Sequence, residues 1–222
     1  MTKQSLLFLV TLACATAALA DPTVSRTFSS SAASGSIKRI VIDLPAGDVT
    51  IRNGRSDAIA ISGTVRRTYD GPAERTESQR IVDDAAVAVY ASADEAVIRR
   101  QFGPNAQGWR AQNHNTEFEV TIEVPEGTAI EVGTRYGNVK LEGTFGNVNA
   151  NLRAGNVDMV TPRATVRDLR ASCRVGNVDA NLGDVIIERE GVFPRSTHFE
   201  GAGTANIHLH VTAGNVEVKL TQ

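Results

Sequence analysis

Cysteine is almost absent from this chain: of two copies, Cys14 falls in the apolar opening segment, so only Cys173 remains and no internal disulfide framework can form. Aromatic side chains are also few, 5% of 222 residues, with a single tryptophan at Trp109. Lysine is scarce, and basic charge is carried almost wholly by arginine. Lys plus Arg (23) against Asp plus Glu (25) leaves a formal net charge of −2, which gives no electrostatic case for nucleic acid or for an anionic membrane. Beyond the first twenty residues no stretch approaches the roughly twenty apolar residues of a transmembrane helix. The Gly-x-Ser-x-Gly elbow, the His-Glu-x-x-His helix and the phosphate loop are missing too. Stability must come from packing and strand ladders.

The opening residues read as an export signal. Lys3 supplies positive charge, Ser5 to Ala13 are nearly all apolar, and Ala18-Leu19-Ala20 gives the small-x-small pattern before Asp21-Pro22. Cleavage is expected after Ala20, with a periplasmic or secreted product and no integral membrane segment. Acylation at Cys14 is disfavoured by Thr11, which stands where a lipobox carries leucine.

A repeat dominates what is present. Gly-Asn-Val occurs at 137–139, 146–148, 155–157, 176–178 and 214–216, with Gly-Asp-Val at 47–49 and 183–185. Aligned on glycines 137, 155, 176 and 214, like residues fall in like slots. Ile130, Val148, Leu169 and Ile207 stand seven before the glycine, and Val139, Val157, Val178 and Val216 two after it. This is period two, apolar inward, broken at an αL-tolerant corner. The spacing predicts an all-β fold, a parallel β-solenoid or β-helix with about 18–21 residues per coil. In that fold Val139, Val157 and Val178 touch in succession, and Asn138, Asn156, Asn177 and Asn215 form a structural ladder at the corner. Arg135, Arg153 and Arg174 form an outward column beside it, which Glu131, Asp158, Asp179 and Glu217 could neutralise.

The earlier half is less regular. Ile40 to Ile51 fits the same template, with Gly47-Asp48 at the corner. Strands are expected at Ala58 to Val65, Ala86 to Tyr90, Ala96 to Gln101 and Phe118 to Val124, with a short helix over Glu74 to Asp84. These irregular strands would cap one end. Gly191 to Gly203 reads as a loop interrupting the repeat, and the strand ending at Gln222 would leave the other end open. The expected division is a signal peptide at 1–20, a β-strand region at 21–128 continuous with the solenoid, and the repeat at 129–222.

Chemistry is sparsely marked. His208 and His210 point the same way but supply only two ligands, and the template sets them beside Asn149 and Arg170 or Asn151 and Ser172, so no metal or other cofactor is expected. Cys173 takes an inward slot, as an inert buried thiol does. Calcium nonapeptides need paired glycines and a corner aspartate that are not here. Trp109 beside Arg110, in the polar loop 103–116, could stack on a sugar or a partner surface. The arginine column at Arg135, Arg153 and Arg174 could hold an anionic partner such as a phosphorylated or uronic glycan, or be a solvated face.

Ile40 to Ile51, Phe118 to Val124 with Pro125-Glu126-Gly127, and the Gly-Asn-Val coils together resemble the putative-adhesin family of bacterial envelope β-strand-repeat proteins, a domain of unknown function, over about residues 36–222. The resemblance implies fold and envelope location and carries no functional residues across; this chain has Gly-Asn where members more often have Ser-Gly-Asp. The leading reading is a non-catalytic, adhesin-like binding or structural module of the cell envelope. Its partners would be an envelope glycan or protein, or a second copy through the solenoid ends. Two alternatives stay open. One is a polysaccharide lyase or glycoside hydrolase on acidic glycan using Asp158, Asp179, Arg153 and Arg174; the other is a periplasmic partner of an envelope-stress regulator.

Overall fold

The computed structural model describes residues 22–104, 115–182, 189–190 and 195–222. The expected signal segment, and Trp109 and Arg110 with most of their loop, lie outside these residues. Alternating polar and apolar positions give the strands β1 (Thr23–Ala33), β2 (Arg39–Asp43), β3 (Asp48–Asn53) and β4 (Ala58–Thr68). One helix, α1 (Pro72–Asp84), then leads into β5 (Ala85–Ser92), β6 (Glu95–Phe102) and β7 (Thr116–Val124). The repeat region supplies β8 (Ala129–Tyr136), β9 (Val139–Glu142), β10 (Val148–Pro162), β11 (Val166–Asn181), β12 (Arg189–Glu190), β13 (Arg195–Glu200) and β14 (Ala205–Thr221). Among the described residues all fourteen strands belong to one sheet of mixed parallel and antiparallel pairing, an all-β fold.

The inward slots make a single apolar core. Ile40, Ile42, Leu44, Val49 and Ile51 from the first copy are buried with Ile130, Leu152, Leu169 and Val211 from the later ones. Each such side chain contributes roughly 1.5–3 kcal/mol by leaving water. Each copy is one strand before the glycine corner and one after it, continuous in β10, β11 and β14, where the run passes straight through the corner.

Parallel pairing joins β2 and β3 to β8 and β9, β8 and β9 to β10, β10 to β14, and β14 to β11. The order is not that of the sequence. Val139 is level with Val157, but Val157 is level with Val216, and Val216 with Val178. The expected succession Val139, Val157, Val178 is therefore broken, because the last strand is seated between β10 and β11. The reason lies in β13: it runs back antiparallel on the far side of β11, so the only neighbour position left for β14 is the other side.

The two ends also differ from expectation. Arg195–Glu200, read as part of a loop, is a strand whose Thr197 and Phe199 are buried. It covers the flank of β11, so the C-terminal strand is interior and not an open edge. At the opposite end β6 and β7 extend the parallel stack beside β2 and β3, and the antiparallel strands β5, β4 and β1 complete that side. Helix α1 buries Ser78, Ile81 and Val82, and Arg26 of β1 donates to the carbonyls of Val82 and Ala85 at its end. Pairing crosses residue 128, so one sheet runs through both halves.

Candidate functional site

The corner fixes where every outward side chain points. Gly47, Gly137, Gly155, Gly214 and Gly176 all take positive φ between 129° and 142°. They lie over one another so closely that a Cβ on Gly155 would stand 1.8 Å from the Gly137 carbonyl oxygen, and one on Gly214 1.7 Å from that of Gly155. Glycine is required on two counts, backbone conformation and carbonyl contact.

The next residue makes a one-way ladder. Asn138 donates its backbone N–H and its amide nitrogen to Asp48 Oδ1, both at 2.9 Å. Asn156 does the same to Asn138 Oδ1 at 3.2 and 2.9 Å, and Asn215 to Asn156 Oδ1 at 3.1 and 2.9 Å. The Asn177 N–H donates to Asn215 Oδ1, and the Arg195 guanidinium donates to Asn177 Oδ1. The four asparagines thus stack in the order 138, 156, 215, 177. A shorter ladder follows the same rule at a second bend. Asn206 donates twice to Asn147 Oδ1, and Arg167, displaced outward where the register of β11 slips, donates to Asn206 Oδ1 at 3.0 Å.

Before the corner, the outward columns form an exposed polar face. One column runs Glu131, Asn149, His208, Arg170, and the next Gly133, Asn151, His210, Ser172. Gly133 has ordinary backbone geometry, and a Cβ there would meet nothing within 4 Å. Its missing side chain leaves a hollow of about 620 Å³ lined by Asp43, Arg100, Glu131, Arg135, Asn149 and Asn151. A second hollow of about 380 Å³ shares Glu131 and Asn149 and reaches Arg39, Asn206 and His208, so the two form one shallow groove across the face. Burial holds the Arg100 guanidinium below its usual range, opposed by the charge of Asp43, and its head lies 5.5 Å from the Phe102 ring centre.

The arginine column is shorter than the sequence suggests. Arg135 and Arg153 are neighbours, flanked by the pairs Thr134 with Leu152 and Tyr136 with Ala154. Thr212 is level with both Arg153 and Arg174 and separates them, again because β14 intervenes. The acids expected to neutralise the column do not. Glu131 bonds Arg39, while Asp158, Glu217 and Asp179 stand side by side beyond the corner, on the other leg. Some other exposed basic groups are paired, Arg52 with Glu123 at 2.6 Å, Arg55 with Asp57 at 3.0 Å and Lys140 with Glu142 at 2.6 Å, while Lys38 and Lys219 make no ion pair among the described residues. Among the described residues Arg135, Arg153 and Arg174 make no ion pair. The corner also splits the hydrolytic set, placing Arg153 and Arg174 on one leg and Asp158 and Asp179 on the next.

His208 and His210 do point the same way, His208 between Asn149 and Arg170, His210 between Asn151 and Ser172. The sequence reading missed what His208 faces. Asp168 of β11 gathers His198 Nε2 at 2.8 Å, Arg170 Nε at 3.1 Å and His208 Nε2 at 3.5 Å. Burial opposes ionisation of Asp168, but the bonds from His198, Arg170 and His208 outweigh it and hold the carboxyl below its ordinary range. Cys173 is fully buried and its thiol lies 3.1 Å from the Gly214 carbonyl.

A solved structure of a putative cell adhesion protein from Clostridium sporogenes is 10% identical, covers 89% of this chain and 100% of its own, and gives a TM-score of 0.47. A putative lipid binding protein from Parabacteroides distasonis is 9% identical over 90% of this chain and 97% of its own, with a TM-score of 0.29. A putative adhesin from Bacteroides fragilis is 10% identical over 88% and 97%, at 0.28. No match is found among curated proteins. Among the described residues no helix is long and apolar enough to cross a membrane. The family model described as Toastrack DUF4097 matches residues 37–222, nearly all of the sheet, and the chain belongs to that family.

Proposed function

We propose that this protein is an exported, non-catalytic binding module of the cell envelope that holds acidic glycan on the polar face before the glycine corners. In this reading residues 1–20 are a cleaved signal, residues 129–222 are a β-solenoid of about 18–21 residues per coil, and residues 21–128 continue and cap it. The observation that carries the ligand class is the pair Arg135 and Arg153. They are adjacent and exposed, they make no ion pair among the described residues, and Arg135 borders the hollow over Gly133. Two neighbouring guanidiniums repel each other at modest cost in water and offer forked donors to carboxylate or phosphate. Asn149, Asn151, Asp43 and Glu131 beside them supply the amide and carboxylate partners that sugar hydroxyls use. The groove is shallow and its charges solvated, which fits weak, multivalent retention on a polymer. Trp109 and Arg110 are proposed to add contacts to the same partner.

The test is retention of the mature chain, residues 21–222, in gels containing polygalacturonate or polyglycerol phosphate, against neutral dextran. Retardation by the acidic polymers that weakens with salt and is lost in Arg135→Ala/Arg153→Ala, but persists in Arg174→Ala, is the expected result. Equal migration of the wild type in acidic and neutral gels refutes the ligand class.

A further inference from the structure

At the flank of the sheet, three segments far apart in sequence bring two imidazoles and two carboxylates together. Asp168 comes from β11; His198 and Glu200, two residues apart and on one face, come from β13; and His208 comes from β14. One ligand atom each from Asp168, His198 and Glu200 lies within 4.8 Å of the others. His198 Nε2 is 2.8 Å from Asp168 Oδ1 and 3.7 Å from Glu200 Oε1. His208 Nε2 approaches the second oxygen, Asp168 Oδ2, at 3.5 Å.

We propose that Asp168, His198 and Glu200 form a site for a divalent transition cation of the zinc or copper class, with His208 holding the free oxygen of Asp168. Metal–nitrogen and metal–oxygen bonds of about 2.0–2.2 Å need donor atoms roughly 3–3.5 Å apart; the two separations from His198, 2.8 and 3.7 Å, bracket that range, and the third lies within 4.8 Å, so side-chain rotation can close the set. Imidazole with carboxylate selects zinc, copper or nickel over calcium or magnesium, which take all-oxygen sets. A second hydrogen-bonding partner on the ligating carboxylate is the usual outer support of such a centre. The side chain of Asp168 is 19% exposed and those of His198 and Glu200 44% and 79%, so an ion can enter from solvent while the anchoring carboxylate stays fixed. Arg170 Nε, 3.1 Å from Asp168, is the cation that now shares this carboxylate; its side chain is 67% exposed and free to leave when metal binds. The three proposed ligands lie outside the lining of the groove over Gly133, whose far end reaches His208.

Titration of the untagged mature protein with Zn²⁺, and separately Cu²⁺, by calorimetry tests this. One equivalent of either ion should bind. His198→Ala and Asp168→Asn should each weaken it at least tenfold. His210→Ala, which removes an imidazole bonded to Ser172 on the same face, should change nothing, and Arg170→Ala should not weaken binding. Far-ultraviolet circular dichroism of each metal-free variant confirms that the fold is kept. Absence of binding by the wild type, affinity unchanged in a folded His198→Ala, or affinity lost equally in His210→Ala or Arg170→Ala would overturn the site.

Discussion

Asn215 donates both its backbone N–H and its side-chain amide to the Oδ1 of Asn156, a residue 59 positions earlier, at 3.1 and 2.9 Å. The bond pair records the spatial order of the repeat copies more directly than any valine contact. It also gives the ladder a direction: donors face toward Asp48, and the chain of amides ends on a carboxylate at one side and on the Arg195 guanidinium at the other.

Asn156→Ala removes the acceptor of two bonds from Asn215 and the donor of one to Asn138. A loss of about 1–2 kcal/mol is expected, since each hydrogen bond is worth roughly 1 kcal/mol net and the corner is partly solvated. Asp48→Asn keeps an Oδ1 for Asn138 and should cost less than about 1 kcal/mol. Urea denaturation of both variants decides; equal losses would show that the ladder does not act through its acceptors.

Gly155→Ala and Gly127→Ala separate the two demands made on glycine. Gly127 has φ of 75° and open space around its Cβ position, so alanine there should cost about 1–2 kcal/mol from backbone strain alone. At Gly155 the added carbon meets the Gly137 carbonyl, and a loss above about 4 kcal/mol or failure to yield folded protein is expected. Thermal melts of the two, side by side, test the contact.

Gly133→Leu should fill the hollow over the polar face without touching the core. Stability should stay within about 0.5 kcal/mol, as for other surface changes, while retention on acidic polymer falls with the groove blocked. Normal retention in this variant would move the ligand site elsewhere.

The Arg55 guanidinium, bonded to both oxygens of Asp57 at 3.0 Å, holds that carboxyl below its ordinary range. A depressed folded pKa contributes stability above the unfolded value, near 3.9, and loses it as pH falls through the folded one. Both groups are fully solvated, so the effect on stability at neutral pH should be undetectable. NMR titration of Arg55→Ala should show the Asp57 midpoint rising toward the ordinary carboxylate value.

The corners could be read because a glycine that must take positive φ under a neighbour's carbonyl admits no substitute, and it recurs as Gly-Asn-Val. The inward slots followed from the same alignment. The order of the repeat copies could not be read, because Val157, Val178 and Val216 satisfy identical slots and nothing local says which is beside which. β13 was hidden because only Thr197 and Phe199 mark its inner face. That omission also hid the cluster on Asp168, whose members lie in three segments. The one available signal was Asp168 itself, an acid in the slot where Asn147 and Asn206 stand.

A strand that is made after β11 and β13 yet lies inside has a consequence for how the chain is made. Synthesis proceeds from the N-terminus, so β11 emerges with no parallel partner and must wait until the seventeen residues of β14 follow it. Ordinary tandem arrays can add each unit to the one before; here the gap beside β10 stays open until β14 has been made. A chain made only as far as β13 therefore exposes two raw edges of parallel sheet, and closing them is a single event that depends on β14.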